Sequence, residues 1–468
     1  MFILAPCPQC GGEIEFLDEA QATRCIYCGS LLHLVGTDED RRYYLEPRVK
    51  EADIVTALRE GFRKKGTVIR FTYSRLVFYP YWWVKGMVFK WMLGKEWEGE
   101  RFKVLKTRLL DHTFPAHTTI PVGPPTLGVR TSSLRVRAFN TKEMQQWGLP
   151  LPVTISHTQA VACAEEAKDY ALTLDKDKVV TEMQKISLIG ERYSLIYLPV
   201  WTFAVKTPQG TAELFIDALS SSVIQVPRQQ GAIIPLLNDE ALGFEFQDTS
   251  FIPLRCPLCG WDLPFHPYNV IHLCSNCSRA WRERGGSFQE ASFAVAKQTR
   301  GTSAGKKVYL PFWIFQTTLE TPAANLTTMA DFYQYFPVPR TIDWKREQTK
   351  PIMFYIPAFR IKNIPVVSKF SAMMTRLQPQ YDYDEAAALI NNDTGDVFLS
   401  SSEARQMAEL VLYALVPITN RRARDLVSQA KLTFTQERLE LFPFLDKGSS
   451  YLDQMTGYAL QKNAVDIH

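Results

Sequence analysis

The sequence predicts an α+β chain arranged as a tandem duplication, each half a small cysteine ribbon followed by a domain of antiparallel strands and helices. Three observations carry this. Eight of the nine cysteines fall into two copies of one spacing: Cys7-x2-Cys10-x14-Cys25-x2-Cys28 and, 249 residues later, Cys256-x2-Cys259-x14-Cys274-x2-Cys277. A motif aromatic-x-Pro-x-aromatic recurs, as FYPYWWV at 78–84, YLPVWTF at 197–203, YLPFWIF at 309–315 and YIPAFRI at 355–361. Ribbon, motifs and helical stretch follow one another in the same order in both halves.

Each Cys-x2-Cys pair sets two thiolates on one tight turn, and two such turns supply the four ligands of a tetrahedral zinc site. The 14-residue spacer leaves room for a hairpin that brings the turns together. Gly11, Gly29 and Gly260 follow three of the turns, where positive φ lets backbone N–H groups point at sulfur; Ser278 stands at the fourth, predicting strain or a different cap. Four thiolates around Zn²⁺ leave negative charge, which Arg24, Arg255 and Arg279 are placed to offset. Two structural Zn²⁺ per chain are therefore expected, each contributing roughly 10–16 kcal/mol of apparent binding energy to a segment too small to fold alone. Disulfides would fit a secreted chain, but no basic start and apolar core of a signal peptide is visible, so a cytoplasmic location is expected. A catalytic zinc would need an open coordination position, which four cysteines close. Cys163, in AVACAEEA, reads as a buried small residue. His33 and His272 read as packing or surface residues beside the clusters.

Composition sets bounds on the rest. With 468 residues, 46% hydrophobic and 22% charged, the chain has material for several globular domains. A net charge of +4 is weaker than a dedicated nucleic-acid binder usually carries. The runs Arg63-Lys64-Lys65 and Arg421-Arg422-x-Arg424 read as solvated helix faces. The most apolar stretch, Leu76 to Gly94, is interrupted by Lys85, Lys90 and Pro80, so no transmembrane helix is expected; its tryptophans and lysines leave a peripheral membrane contact through 76–94 as a third reading.

Period-2 geometry explains the aromatic motifs as strands, with Tyr197, Pro199, Trp201 and Phe203 on one face and Tyr309, Pro311, Trp313 and Phe315 likewise. Proline has no N–H for a ladder, which predicts a strand start or sheet edge at each copy. Weaker relatives are TFPAHTT at 113–119 and LFPFLDK at 441–447. Helical stretches are expected at Ala160–Leu188 and Glu403–Gln429, and FIDALSSSVIQ at 215–225 echoes YLDQMTGYALQ at 451–461 as a hairpin. The resulting domains are ribbon 1 at 1–36, an α+β domain at 45–230, ribbon 2 at 251–285 and a second α+β domain at 290–468. The boundary falls in 227–253, an ordered proline-rich loop covers 120–133, and the two halves are expected to face each other as a pseudo-two-fold pair.

CPQCGG…CIYCGS together with the repeated YLPxW resembles bacterial TFIIB-type zinc-ribbon proteins, relatives of which are labelled primosomal-helicase-like. The resemblance implies the eight zinc ligands Cys7, Cys10, Cys25, Cys28, Cys256, Cys259, Cys274 and Cys277. Helicase activity is not carried over, because the nearest approach to a phosphate-binding loop, GTSAGKK at 301–307, has the wrong spacing and runs into VYLPFW. With no clustered catalytic signature and seven histidines in all, the expected function is a non-enzymatic scaffold or adaptor acting through protein partners. Nucleic-acid binding is the alternative, with Trp82, Trp83 or Trp261 stacking on bases. Alternating acids such as Asp382 and Asp384 are too generic to mark a site, and the oligomeric state is left open.

Overall fold

Long runs of β-branched and aromatic residues draw the first half into two very extended strands. The computed structural model describes residues 1–467 apart from 37–40, 97–98, 119–133, 173–178, 225–233, 235–247, 298–304, 323, 340–341 and 385–393. The chain is mixed α+β. Its first half runs β1 (Phe2–Pro6), β2 (Glu13–Leu17), β3 (Ala22–Arg24), β4 (Leu31–Leu34), β5 (Arg41–Tyr44), α1 (Glu51–Lys64), β6 (Arg70–Glu96), β7 (Arg101–Pro115), β8 (Arg135–Ala138), α2 (Thr141–Trp147), β9 (Leu149–Pro150), α3 (His157–Leu172), β10 (Val179–Thr207), β11 (Gly210–Asp217) and β12 (Val223–Ile224). The second half runs β13 (Phe251–Pro253), β14 (His272–Leu273), β15 (Ala280–Arg284), β16 (Ser287–Ala291), β17 (Phe293–Ala296), β18 (Lys307–Glu320), β19 (Asn325–Leu326), α4 (Met329–Tyr333), α5 (Trp344–Glu347), β20 (Ile352–Pro357), β21 (Arg360–Ile361), α6 (Ile364–Leu377), β22 (Tyr383–Asp384), α7 (Ser401–Leu415), α8 (Arg421–Gln429), β23 (Lys431–Asp446), β24 (Ser450–Asp453), β25 (Ala459–Gln461) and β26 (Val465–Asp466).

The spine of each half is an antiparallel pair, β6 with β10 and β18 with β23. Their registers correspond. Pro80 stands opposite Tyr197 and Pro199 opposite Phe78; Pro311 stands opposite Leu441 and Pro443 opposite Tyr309. The flanking strands correspond too: β7 meets β6 with Tyr81 opposite Pro115, and β20 meets β18 with Phe312 opposite Pro357. Short strands β5 and β17 run parallel to β10 and β23, with Tyr44 opposite Tyr197 and Val295 opposite Leu441. The sheets are thus mixed rather than wholly antiparallel. The hairpins at 215–224 and 451–460 also match: Phe215 faces Ile224 and Tyr451 faces Leu460. Their turns close through one pattern, with Ser221 N–H on Asp217 O and Gly457 N–H on Asp453 O, both at 2.9 Å.

Pro80, Pro199, Pro311 and Pro443 lie inside long central strands, not at starts or edges, whereas Pro115 and Pro357 end the edge strands β7 and β20; for the first three the hydrogen bonds give the reason. A residue in a strand points its N–H and C=O to the same side. Pro80, Pro199 and Pro311 each accept, on the side away from the spine ladder, from a buried alanine: Ala116 N–H at 2.9 Å, Ala218 N–H at 3.0 Å and Ala358 N–H at 2.9 Å. In an ordinary ladder the alanine carbonyl would accept from the residue opposite. Proline has nothing to give, so that carbonyl takes two successive N–H groups from a third segment: Thr154 and Ile155 on Ala116, Arg48 and Val49 on Ala218, Phe398 and Leu399 on Ala358. Each of those segments leads directly into a helix, α3, α1 and α7 respectively. The tryptophan two residues after each proline completes the clamp. Trp82, Trp201 and Trp313 donate their indole N–H, each at 2.9 Å, to Ile155 O, Val49 O and Leu399 O. TFPA and YIPA supply two of the three alanines, so these segments and the Pro-x-Trp motifs are complementary parts of one device.

Several expectations change on contact with the fold. The stretch Ala160–Leu188 is helical through Leu172, and its residues from Val179 onward are strand. The second helical stretch is broken into α7 and α8. Arg424, expected on a solvated face, is 9% exposed and ion-paired with Glu182. Every residue from 76 to 94 is buried or half-buried within β6, including Trp82, Trp83 and Trp91. No described helix is long and apolar enough to cross a membrane. The loop at 120–133, most of the boundary at 227–253 and residues 301–304 of GTSAGKK lie outside the described residues.

The two halves meet on one side rather than as a facing pair. The outer reach of β6, β7 and β10 lies over α7, where Ser187 donates to Glu409 at 2.9 Å, Gly190 N–H to Gln406 at 2.8 Å, and Lys103 to Ala414 O and Val416 O at 2.8 and 2.6 Å. Phe89, Trp91, Leu93, Met183 and Ile189 join the apolar core of the second half there. α3, which like α7 follows a Pro-x-Trp clamp, packs on β6, β7 and β10 of its own half.

Candidate metal centres

The four cysteine turns are built alike. In each, the N–H four residues after the first cysteine returns to that cysteine's carbonyl: Gly11 to Cys7, Gly29 to Cys25, Gly260 to Cys256 and Ser278 to Cys274, all at 2.9 Å. Ser278 adopts φ 55, beside 71 to 75 for the three glycines, so the fourth turn has the same closure with a non-glycine in left-handed conformation.

Those turns bring Cys7, Cys10, Cys25 and Cys28 together, and separately Cys256, Cys259, Cys274 and Cys277, with all four sulfurs of each group within 4.8 Å of one another. The shortest pairs correspond: Cys7–Cys28 at 3.8 Å with Cys256–Cys277 at 3.5 Å, and Cys10–Cys25 at 3.7 Å with Cys259–Cys274 at 3.6 Å. Metal–sulfur bonds of about 2.3 Å in a tetrahedron require sulfur–sulfur edges of about 3.8 Å, whereas a disulfide would need about 2.05 Å. The residues therefore fit a tetrahedral thiolate-bound ion. In each group two sulfurs are buried and two lie nearer solvent. The Ser30 hydroxyl, 3.1 Å away, and the Ser30 N–H hold the Cys28 thiol down to about 6. The Asn276 side chain and the Trp261 N–H do the same for Cys259. In each cluster a partner is pushed the other way, Cys10 and Cys277 up to about 12, so one thiol per cluster is poised as thiolate and the rest would lose their protons on binding an ion.

The arginines beside the turns are differently engaged than charge balance alone predicts. Arg255 pairs with Asp262 at 3.2 Å, Arg279 with Glu290, and Arg24 lies over the Phe265 ring at 5.5 Å. That last contact crosses from one ribbon to the other. β13, at the entry to ribbon 2, pairs with β4 of ribbon 1, and Gln21 and Ala22 N–H both donate to Pro267 O. The ribbons share an apolar core of Ala22, Leu254, Cys256, Leu263, Cys274 and Trp281. His33 and His272 meet edge to face at 5.2 Å between them, both against Phe288, with His33 2% and His272 0% exposed. They are packing residues, far from the sulfurs' coordination in role, and burial pushes them down to about 4 and about 3. Cys163 is half-buried on α3.

The outer turn residues escaped the sequence reading, apart from Trp261. Ile26 is 82%, Tyr27 65%, Leu258 63% and Trp261 59% exposed. The available signal was the apolar pair inside Cys25-Ile-Tyr-Cys28, where side chains between two ligands must point away from the ion. Fold and site together define an α+β protein carrying two fused ribbons, each with a four-cysteine group that could hold a metal ion. No family model, curated protein or solved structure matches the chain.

Proposed function

We propose that this chain is a tandemly duplicated, non-enzymatic scaffold whose two ribbons each hold one structural Zn²⁺ and whose outer ribbon turns bind a protein partner in the cytoplasm. The observation that carries the reading is the apolar tips, Ile26, Tyr27, Leu258 and Trp261, held on rigid turns of a fused double ribbon. Four thiolates complete the coordination shell, so the ion's role is structural. Large apolar side chains fixed at well over half exposure have no folding reason to be there, and aromatic anchors of this kind concentrate binding energy at interfaces. The matched strand registers and the repeated helix clamp support duplication, and the ribbon pattern with YLPxW supports kinship with the TFIIB-type zinc-ribbon proteins.

The test uses the purified full-length chain as bait in extract of its native host, with chemical cross-linking to locate contacts. A stoichiometric protein cross-linked at the ribbon turns, and lost in Tyr27→Asp/Leu258→Asp with both metals retained, supports the scaffold. A partner indifferent to those substitutions removes the proposed surface. Tyr27 and Trp261 also favour one second reading, stacking on single-stranded nucleic acid. Binding of an oligonucleotide that falls steeply with salt and needs both rings would replace the first reading with this one.

A further inference from the structure

A polar cavity of about 320 Å³ lies where both ribbons meet the second half, lined among others by Gln21, His33, Arg282, Arg284, Ser401 and Ser402. That volume is within the range of small-ligand sites. From three directions its lining offers groups that lack partners. Ser401 and Ser402 open the 15-residue helix α7. Ser400 caps the helix by accepting from Glu403 N–H, and Ala404 N–H returns to Ser400 O, which leaves the N–H groups of Ser401 and Ser402 as the unused donors of the first turn. Such a terminus carries partial positive charge and favours an anion. Arg282 and Arg284, on β15, enter no ion pair among the described residues, and Arg282 Nε is buried without a hydrogen bond. The two acids in the lining are already engaged, Glu283 by Gly286 N–H at 2.8 Å and Glu437 by Arg405 at 2.6 Å.

The third direction fixes the kind of anion. His33 is 2% exposed, and its Nδ1 is anchored on Leu34 O at 2.8 Å. A carbonyl accepts, so Nδ1 carries the proton and Nε2 is a bare acceptor. Nε2 is buried with no partner. A ligand satisfying the whole cavity must therefore be an anion that also brings a hydroxyl proton.

We propose that this cavity binds a phosphate group, as inorganic phosphate or the singly protonated form of a small phosphate monoester, with its anionic oxygens on Arg282, Arg284 and the first turn of α7 and its P–OH donated to His33 Nε2. Sulfate has the charge and shape but no proton at neutral pH, so it leaves His33 unpaired. The site joins ribbon 1, ribbon 2 and the second half through one ligand. It rests on the fold alone and stands or falls independently of the scaffold reading.

The experiment is isothermal titration of the full-length, metal-loaded chain with inorganic phosphate, glycerol 3-phosphate and sulfate in a phosphate-free buffer. Saturable binding of phosphate or the monoester is expected, at least tenfold tighter than sulfate. The better of the first two identifies whether the ligand is free phosphate or an ester. Arg282→Gln/Arg284→Gln should weaken binding at least tenfold while metal content and melting temperature hold; Arg284→Gln alone, at an exposed position, provides a milder variant should the pair disturb ribbon 2. No saturable binding to the wild-type chain overturns the proposal, as does binding unchanged in both variants. Sulfate binding as tightly as phosphate overturns the role given to His33 and with it the choice of ligand.

Discussion

Cys256 shows how much a single ligand supports. Its sulfur belongs to the second cysteine group, and its side chain is also part of the core that the two ribbons share with Ala22 and Trp281. Cys256→Ser should therefore lower bound metal from two ions per chain toward one, measured by elemental analysis, and expose the ribbon 1 side of that core to proteolysis as well. Unchanged metal content would refute the ligand assignment. His33 carries a second prediction. Burial holds it neutral, down to about 4 against an ordinary value of 6.5. Between these values the unfolded chain binds more protons than the folded one, so stability rises with pH and is lost on acidification through that window. From pH 7 to 5.5 this group alone should cost about 1 kcal/mol. Thermal melts in phosphate-free buffer, with metal content followed in parallel, would check it; His33→Gln should flatten the acid limb, and an unaltered slope would show that other groups govern it. All eight cysteines were legible because covalent spacing within a turn is local. The histidine pair was seen only as neighbours of the clusters, since its burial depends on two segments some 240 residues apart in the chain.

At the scale of elements, the recurring Pro-x-Trp is a helix-entry clamp. The sequence displayed the motif and its periodicity, which placed the strands and the aromatic core. It concealed the purpose of the proline, because the alanine opposite and the N–H groups that use the released carbonyl come from elsewhere along the chain. The halves differ in sequence at one copy of the motif. The weaker relative LFPFLDK has Pro443 and Leu445, with no tryptophan and with Gln454 where the first half has Ala218, and only ten residues separate β17 from β18. The corresponding interval in the first half holds α1. Pro311→Ala follows as a test with a counterintuitive sign. Replacing proline in a strand should ordinarily help a ladder. Here it creates a buried N–H facing Ala358 O, which already accepts from Phe398 and Leu399 at 2.7 and 3.0 Å. A poorly satisfied donor costs about 1–3 kcal/mol, so chemical denaturation should show destabilisation of that order. A neutral or stabilised variant would mean that the proline serves no such role.

On the scale of the whole molecule, the ribbons and halves form one connected body through contacts that no local pattern announces. β13 reaches β4 across more than two hundred residues, and the outer reach of β6, β7 and β10 covers α7. The extra length of that reach was visible in the sequence as the apolar run 76–94, but its destination was not, because apolar strands specify burial without naming the partner surface. Lys103 is the most informative contact there. Its ammonium closes the C-terminus of α7 by donating to Ala414 O and Val416 O, and lies 5.5 Å over the Trp91 ring. A cation at that end also matches the helix dipole. Lys103→Met keeps the aliphatic packing and removes the donors, leaving two carbonyls at a covered helix end without them, at about 1–3 kcal/mol. The loss falls on the contact between the halves, not within either. Calorimetry should therefore turn a single cooperative transition into two, with the second half melting first because its helix has lost the cover, and hydrogen exchange should rise along α7 while the spine of β6 and β10 stays protected. One transition merely shifted to lower temperature would mean that the halves remain coupled through Phe89, Trp91 and Met183, and that the apolar contact, not the lysine, makes them fold as one.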